Sequence, residues 1–169
     1  MRSTRQIPPQ YRFEIQHALG KQAEQFLDHY FARWYTIQTI DIATEVRDGY
    51  DRIFIRKHDQ QAIRVEYKAD WQAATTGNAF VETISVYEER KPGWAHTSQA
   101  DMLIYFVPQQ GQIFMLPLAA LRLILPSWKL RYREVPAPNE GYKTYGILVP
   151  LTQFSKFGTM RTVTPMQTI

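Results

Sequence analysis

Gly49-Tyr50-Asp51-Arg52-Ile53-Phe54, followed after a gap of hairpin length by Ile63-Arg64-Val65-Glu66-Tyr67-Lys68, is the stretch on which the reading of this chain turns. Both runs are rich in β-branched and aromatic residues, as strands are, and the polar His58-Asp59-Gln60-Gln61 between them reads as a loop. Side chains two apart on a strand share a face, so Glu66 and Lys68 point together while Val65 and Tyr67 point to the other side. Asp51 begins the preceding strand and falls beside them. Two carboxylates at close range repel, a cost relieved when they share a divalent cation with water and phosphate oxygens, as Mg²⁺ is usually held. Lys68 would then position or help deprotonate a water, or stabilise charge on a phosphate in the transition state.

Upstream, residues 20–36 place Ala23, Phe26, Leu27, Tyr30, Phe31 and Trp34 at intervals of three and four, which predicts an amphipathic helix packed on a sheet. Glu24 lies at the edge of that apolar face and points across the layer. Strands are predicted at 37–45, 50–56, 62–69 and 79–87, with Asp48-Gly49 as a tight turn, giving an antiparallel meander. Lys91-Pro92-Gly93 breaks the chain. Residues 101–107 then read as an apolar inner strand and 113–116 as a short strand, and a helix over 118–125 stops at Pro126. Residues 136–141 read as a loop, 145–149 as a late strand and 151–157 as a final helical turn. The order predicts a mixed α/β layer structure.

Composition bounds the chemistry. At 169 residues, 44% hydrophobic and 21% charged, the chain has the size and core of one domain, spanning 1–169. It has no cysteine, which removes disulfides, thiol catalysis and cysteine-ligated zinc. No apolar run reaches the roughly 20 residues of a membrane span, and Met1–Gln10 lacks the apolar centre of a signal peptide, so the expectation is a cytoplasmic protein. The net charge of +4 is unevenly spread: residues 1–120 hold 13 basic and 14 acidic residues, residues 121–169 hold 7 and 2. A basic last third favours polyanions without identifying one.

The acidic-x-lysine triplet is weak alone, since about 0.7 copies are expected by chance in this composition. A second copy, Glu89-Arg90-Lys91, sits at a strand end before Pro92-Gly93 and has no upstream strand-borne aspartate. Context singles out the first. A helix bearing Glu24, then Asp51, then Glu66-x-Lys68 resembles the PD-(D/E)xK nuclease superfamily, the fold of many restriction endonucleases and Holliday-junction resolvases. Tyr50 stands where the family's name has proline. Thr76-Gly77-Asn78 with Glu82, and Gly93, Thr97, Ala100 and Asp101 before an apolar strand with a tyrosine, are similar to segments of small phage and bacterial nuclease-like proteins.

That resemblance covers about residues 20–120 and implies a restriction-endonuclease-like core, a mixed central sheet flanked by helices. Residues 121–169 have no counterpart in it and form a basic C-terminal extension. It implies that Asp51, Glu66 and the carbonyl of Tyr67 bind Mg²⁺, with Mn²⁺ able to substitute, that Lys68 assists water attack, and that Glu24 supports the site. The implied activity is metal-dependent endonuclease hydrolysis of phosphodiesters, in DNA with RNA left open, by a homodimer in analogy with small enzymes of the fold. The alternative is a catalytically inactive nuclease-like protein that binds nucleic acid or serves as an accessory. For binding, Asn78 and Lys91 are candidates, and Lys129, Arg131 and Arg133 would share one face if 128–134 formed a strand. Thr97, Ser98 and Asp101 read as loop-fixing residues, and Trp94 as core.

Overall fold

The computed structural model of the protein describes residues 13–139 and 141–167, so the reading of Met1–Gln10 lies outside the described residues. The first helix, α1 (Phe13–Phe31), starts earlier than the periodicity predicts and ends sooner. Gly20 within it meets no neighbour and costs the helix only about 1 kcal/mol. Ala23, Leu27 and Phe31 are buried as predicted, whereas Trp34 lies past the helix end and is 45% exposed.

The predicted strand at 37–45 is corrected. The chain forms β1 (Tyr35–Thr39) and then a short helix, α2 (Ile42–Asp48). Asp41 caps α2 by accepting from the Thr44 N–H at 2.9 Å, and Gly49 closes it at φ +64. The β-branched residues that read as strand sit between an N-cap and a left-handed glycine stop, and those ends outweigh them. Gly49 therefore ends a helix and does not turn a hairpin.

After β2 (Arg52–Arg56) and β3 (Ala62–Ala69) the predicted meander breaks. A single turn, α3 (Ala73–Thr76), leads to β4 (Asn78–Val86), which joins a different sheet with β5 (Lys91–Pro92). The turn α4 (Trp94–Thr97) brings the chain back to β6 (Met102–Val107), parallel to β3. Parallel neighbours need a long crossover, and the excursion through β4 supplies it. A hairpin to β7 (Gln112–Pro117) and the later β10 (Thr159–Thr162) complete a mixed six-stranded sheet in the order β1-β2-β3-β6-β7-β10.

Helix α5 (Leu118–Arg131) runs through Pro126. An interior proline costs about 3 kcal/mol. Burial of Leu125 and Trp128 on either side offsets it, with Trp128 packed against the rings of Phe154 and Phe157. The loop predicted from 136 is in part a strand, β8 (Glu134–Pro138), paired with β9 (Lys143–Pro150). A last turn, α6 (Leu151–Phe154), follows. The second sheet has the order β5-β4-β9-β8 and is antiparallel throughout.

Two apolar clusters flank the six-stranded sheet. On one face α1 meets Phe54, Val65, Tyr67, Ile104, Phe106 and Ile113. On the other, Leu103, Tyr105, Phe114 and Leu116 meet Val81, Ile147 and Val149 of the second sheet, with Leu121 and Leu125 of α5. Among the described residues no helix is long and apolar enough to cross a membrane.

Candidate active site

Strand β3 alternates as its sequence predicts. Val65 and Tyr67 join the cluster under α1, while Glu66 and Lys68, in register with Leu103 and Tyr105 of β6, face the second sheet. Asp51 precedes β2, where its N–H bonds the Val65 carbonyl at 2.8 Å and its Oδ2 accepts the Tyr67 N–H at 2.6 Å. The carboxylate thus takes the place of the next backbone partner beyond the end of β2. On a strand the N–H and C=O of one residue point to the same side, which turns the Tyr67 carbonyl toward Asp51.

Glu66 is buried, with its side chain 5% exposed, and its Oε1 lies 2.5 Å from the Lys68 ammonium. Burial, with a contribution from Asp51, raises its pKa to about 7 against the pull of Lys68. Burial also raises the Asp51 carboxyl, and again Lys68 opposes. For Lys68 itself desolvation works against the charge, but Glu66 and Asp51 outweigh it and raise the pKa, so this amine holds its proton at neutral pH. Glu82 of β4 completes the ring of acids around Lys68. Its Oε1 accepts the Trp94 N–H at 3.2 Å, and burial raises its pKa.

The Glu24 carboxylate is held by Arg52, whose Nη2 lies 2.9 Å from its Oε2. Arg52 also bonds both Asp28 oxygens at 3.1 Å and the Asp51 carbonyl at 2.9 Å, and its guanidinium lies 5.5 Å from the Tyr67 ring centroid. The Tyr67 hydroxyl donates to Asp28 at 3.0 Å. Sequence reading passed over Arg52 and Asp28. The signal was a charge in the inward register of β2, two residues from buried Phe54, and an acid four residues after Glu24 on α1. Asp70, at the end of β3, was missed too. It accepts the N–H groups of Gln72 and Ala73 and the Tyr105 hydroxyl, and so fixes the turn into α3.

The binding candidates are more scattered. Asn78 lies at the start of β4, its amide donating to the Thr76 carbonyl at 2.7 Å, and Lys91 is exposed on β5. The strand face proposed for Lys129, Arg131 and Arg133 is corrected: Lys129 and Arg131 lie on α5, where residues two apart diverge around the axis, and Arg133 follows it. All three are exposed. The loop-fixing roles fit the contacts made. Thr97 donates to the Gly93 carbonyl, Ser98 to the Gly49 carbonyl, and Asp101 pairs with Arg64 through both oxygens at 2.8 and 3.1 Å. Trp94 is core, 8% exposed.

The donor set suits a hard cation: two carboxylates, Asp51 and Glu66, and one backbone carbonyl, with Mg²⁺ ordinarily keeping several waters. Among the described residues no group of three or more histidine, cysteine, aspartate or glutamate side chains is placed to hold a metal ion. Lys68 sits against Glu66 where positive charge is needed. Next to it, between the end of β3 and the second sheet, opens a cleft of about 680 Å³.

These features define a mixed α/β protein with a buried acid–lysine cluster at the mouth of a cleft. Comparison with family models, with curated proteins and with solved structures finds no match in any of the three.

Proposed function

We propose that the protein is a Mg²⁺-dependent nuclease of the PD-(D/E)xK type, with a restriction-endonuclease-like core, that hydrolyses phosphodiester bonds in DNA in the cytoplasm. The observation that carries this reading is the 2.6 Å bond from the Tyr67 N–H to Asp51, which ties the lone aspartate to the strand of Glu66 and Lys68. It brings Asp51 close enough to Glu66 to help raise that carboxyl's pKa, which supports a shared cation. Asp51, Glu66 and Tyr67 are the residues that would hold Mg²⁺. When bound, the ion would supply an acidified water and neutralise charge on the phosphate.

In the metal-free protein Glu66 and Asp51 hold Lys68 as an ammonium, and this positive charge supports an electrostatic role. It would stabilise negative charge on the phosphate oxygens and orient the attacking water. Glu24 acts at one remove, through Arg52, by fixing the Asp51 backbone and the Tyr67 ring.

Purified protein incubated with labelled linear, branched and single-stranded DNA in Mg²⁺ tests the reading. Cleavage that stops in EDTA and falls at least about a hundredfold in Glu66→Gln and Lys68→Met is expected. Absence of cleavage on every substrate, or cleavage indifferent to both substitutions, removes it. Binding that persists in EDTA without any cleavage would leave the inactive binding protein as the reading.

A further inference from the structure

Lys68 and Glu82 open onto the 680 Å³ cleft, whose volume falls within the about 300–1,000 Å³ of sites that enclose small molecules. An intact duplex is far too wide to enter it. Among the described residues the lining carries one cation, Lys68, and two acids, Asp70 and Glu82. Among these lining residues a phosphate therefore finds attraction only at the Lys68 end, once a cation on Glu66 has released that ammonium, and beyond it the acids repel a backbone. What enters further must be uncharged.

The rest of the lining says what it is. Phe80 and Trp71 are half-buried aromatic side chains of the cleft. The tip of the Phe80 ring rests over Gly146 of the neighbouring strand, where a Cβ would come within 2.6 Å of its Cζ, so the ring is seated by the absence of a side chain there. Asn78 and Asn139 also line the cleft. One N–H of each amide is held at 2.7 Å, by the Thr76 carbonyl and the Thr144 hydroxyl, which leaves each side chain an acceptor oxygen and a second N–H donor. Flat apolar surface with amide donors and acceptors at its margin is what a nucleobase recognises.

We propose that this cleft receives one unstacked nucleobase whose neighbouring phosphate lies at Lys68, so that the substrate class is single-stranded or frayed nucleic acid and not intact duplex. The proposal rests on the nuclease reading for the phosphate at Lys68. Base capture by the aromatic wall needs neither metal nor the Lys68 contact, which Glu66 occupies in the metal-free protein, so binding in EDTA isolates it from hydrolysis.

The test uses an oligonucleotide with a fluorescent adenine analogue at its terminal base, offered to the protein in EDTA as a single strand and within a blunt duplex. The expected result is quenching of the analogue in the single strand and roughly tenfold tighter binding than the duplex, with that preference largely lost in Phe80→Leu, which keeps apolar bulk but removes the ring. Equal affinity for the two forms, an unquenched base in the wild-type complex, or a Phe80→Leu protein with undiminished preference would overturn it. Duplex cleavage in Mg²⁺ without quenching would remove this proposal and keep the nuclease. Quenching and preference without any cleavage in Mg²⁺ would keep the base site and remove the nuclease.

Discussion

Arg52 is 9% exposed, yet it faces Glu24, Asp28 and the Asp51 carbonyl at once. A buried charge is tolerable only with its partners in place. Replacing it with methionine fills the space but leaves Asp28 only the Tyr67 hydroxyl and Glu24 only the exposed Lys21, and a loss of about 3 kcal/mol in urea-unfolding stability is expected. A loss under about 1 kcal/mol would show that solvent serves the two acids equally well. Glu66 makes a prediction of opposite character. Its pKa rises from 4.5 in the unfolded chain to about 7 in the fold, so between those values the folded protein holds a proton that the unfolded chain has released. The stability this contributes is full below pH 4.5 and is lost as the pH climbs through 7. A divalent cation competes for the same carboxylate. Mg²⁺ should therefore raise the melting temperature by several degrees at about pH 8 and by little at about pH 5.5, and the rise at pH 8 should vanish in Glu66→Gln. An equal rise at both pH values would place the ion elsewhere.

At the scale of elements, the strands bearing the site were legible because alternation is a strong local signal. Glu66 and Lys68 share a face and Val65 and Tyr67 the other, as spacing alone predicts. Helix α2 was misread because Ile40, Ile42 and Thr44 favour strand, while its signature lies at the ends, in Asp41 and Gly49. Gly49 is the sharper of the two. At φ +64 an added Cβ is strained, and it would meet the Ser98 Cα at 3.2 Å. Gly49→Ala should cost about 1–2 kcal/mol in unfolding stability, where the same change at an ordinary turn glycine costs a few tenths. A neutral result would mean that the α2–β2 junction relaxes freely. Helix α5 was cut short for the converse reason. Pro126 is a strong local stop, and what carries the helix past it is Trp128 meeting Phe154 and Phe157, contacts between segments some thirty residues apart that no window of sequence contains.

At the scale of the molecule, the last third is threaded through the core. Leu121, Leu125, Trp128, Ile147, Val149 and Phe154 are each 4% exposed or less and lie in the cluster between the two sheets. At about 1.5–3 kcal/mol apiece, their burial rivals the whole 5–15 kcal/mol stability of a domain. Apart from half-buried Arg122, which donates to the Ala95 and Ser98 carbonyls, the basic residues of this third sit on its surface, so the charge asymmetry describes mainly what the segment shows to solvent. It is also this segment that makes the cleft, because β8 and β9 widen the sheet in which β4 carries Phe80 and Glu82. That arrangement was out of reach of the sequence, since β4 leaves the neighbourhood of β3 in chain order and returns only as the opposite side of the cleft. Everything proposed for the site rests on one exchange, in which a divalent cation takes the Glu66 oxygen that Lys68 now holds at 2.5 Å. A crystal soaked in Mn²⁺ tests it. An ion bound by Asp51, Glu66 and the Tyr67 carbonyl is expected, with oxygens at about 2.1 Å and the Lys68 ammonium moved off Glu66 toward the cleft. Saturating Mn²⁺ with no ion there, and Lys68 still on Glu66, would contradict it.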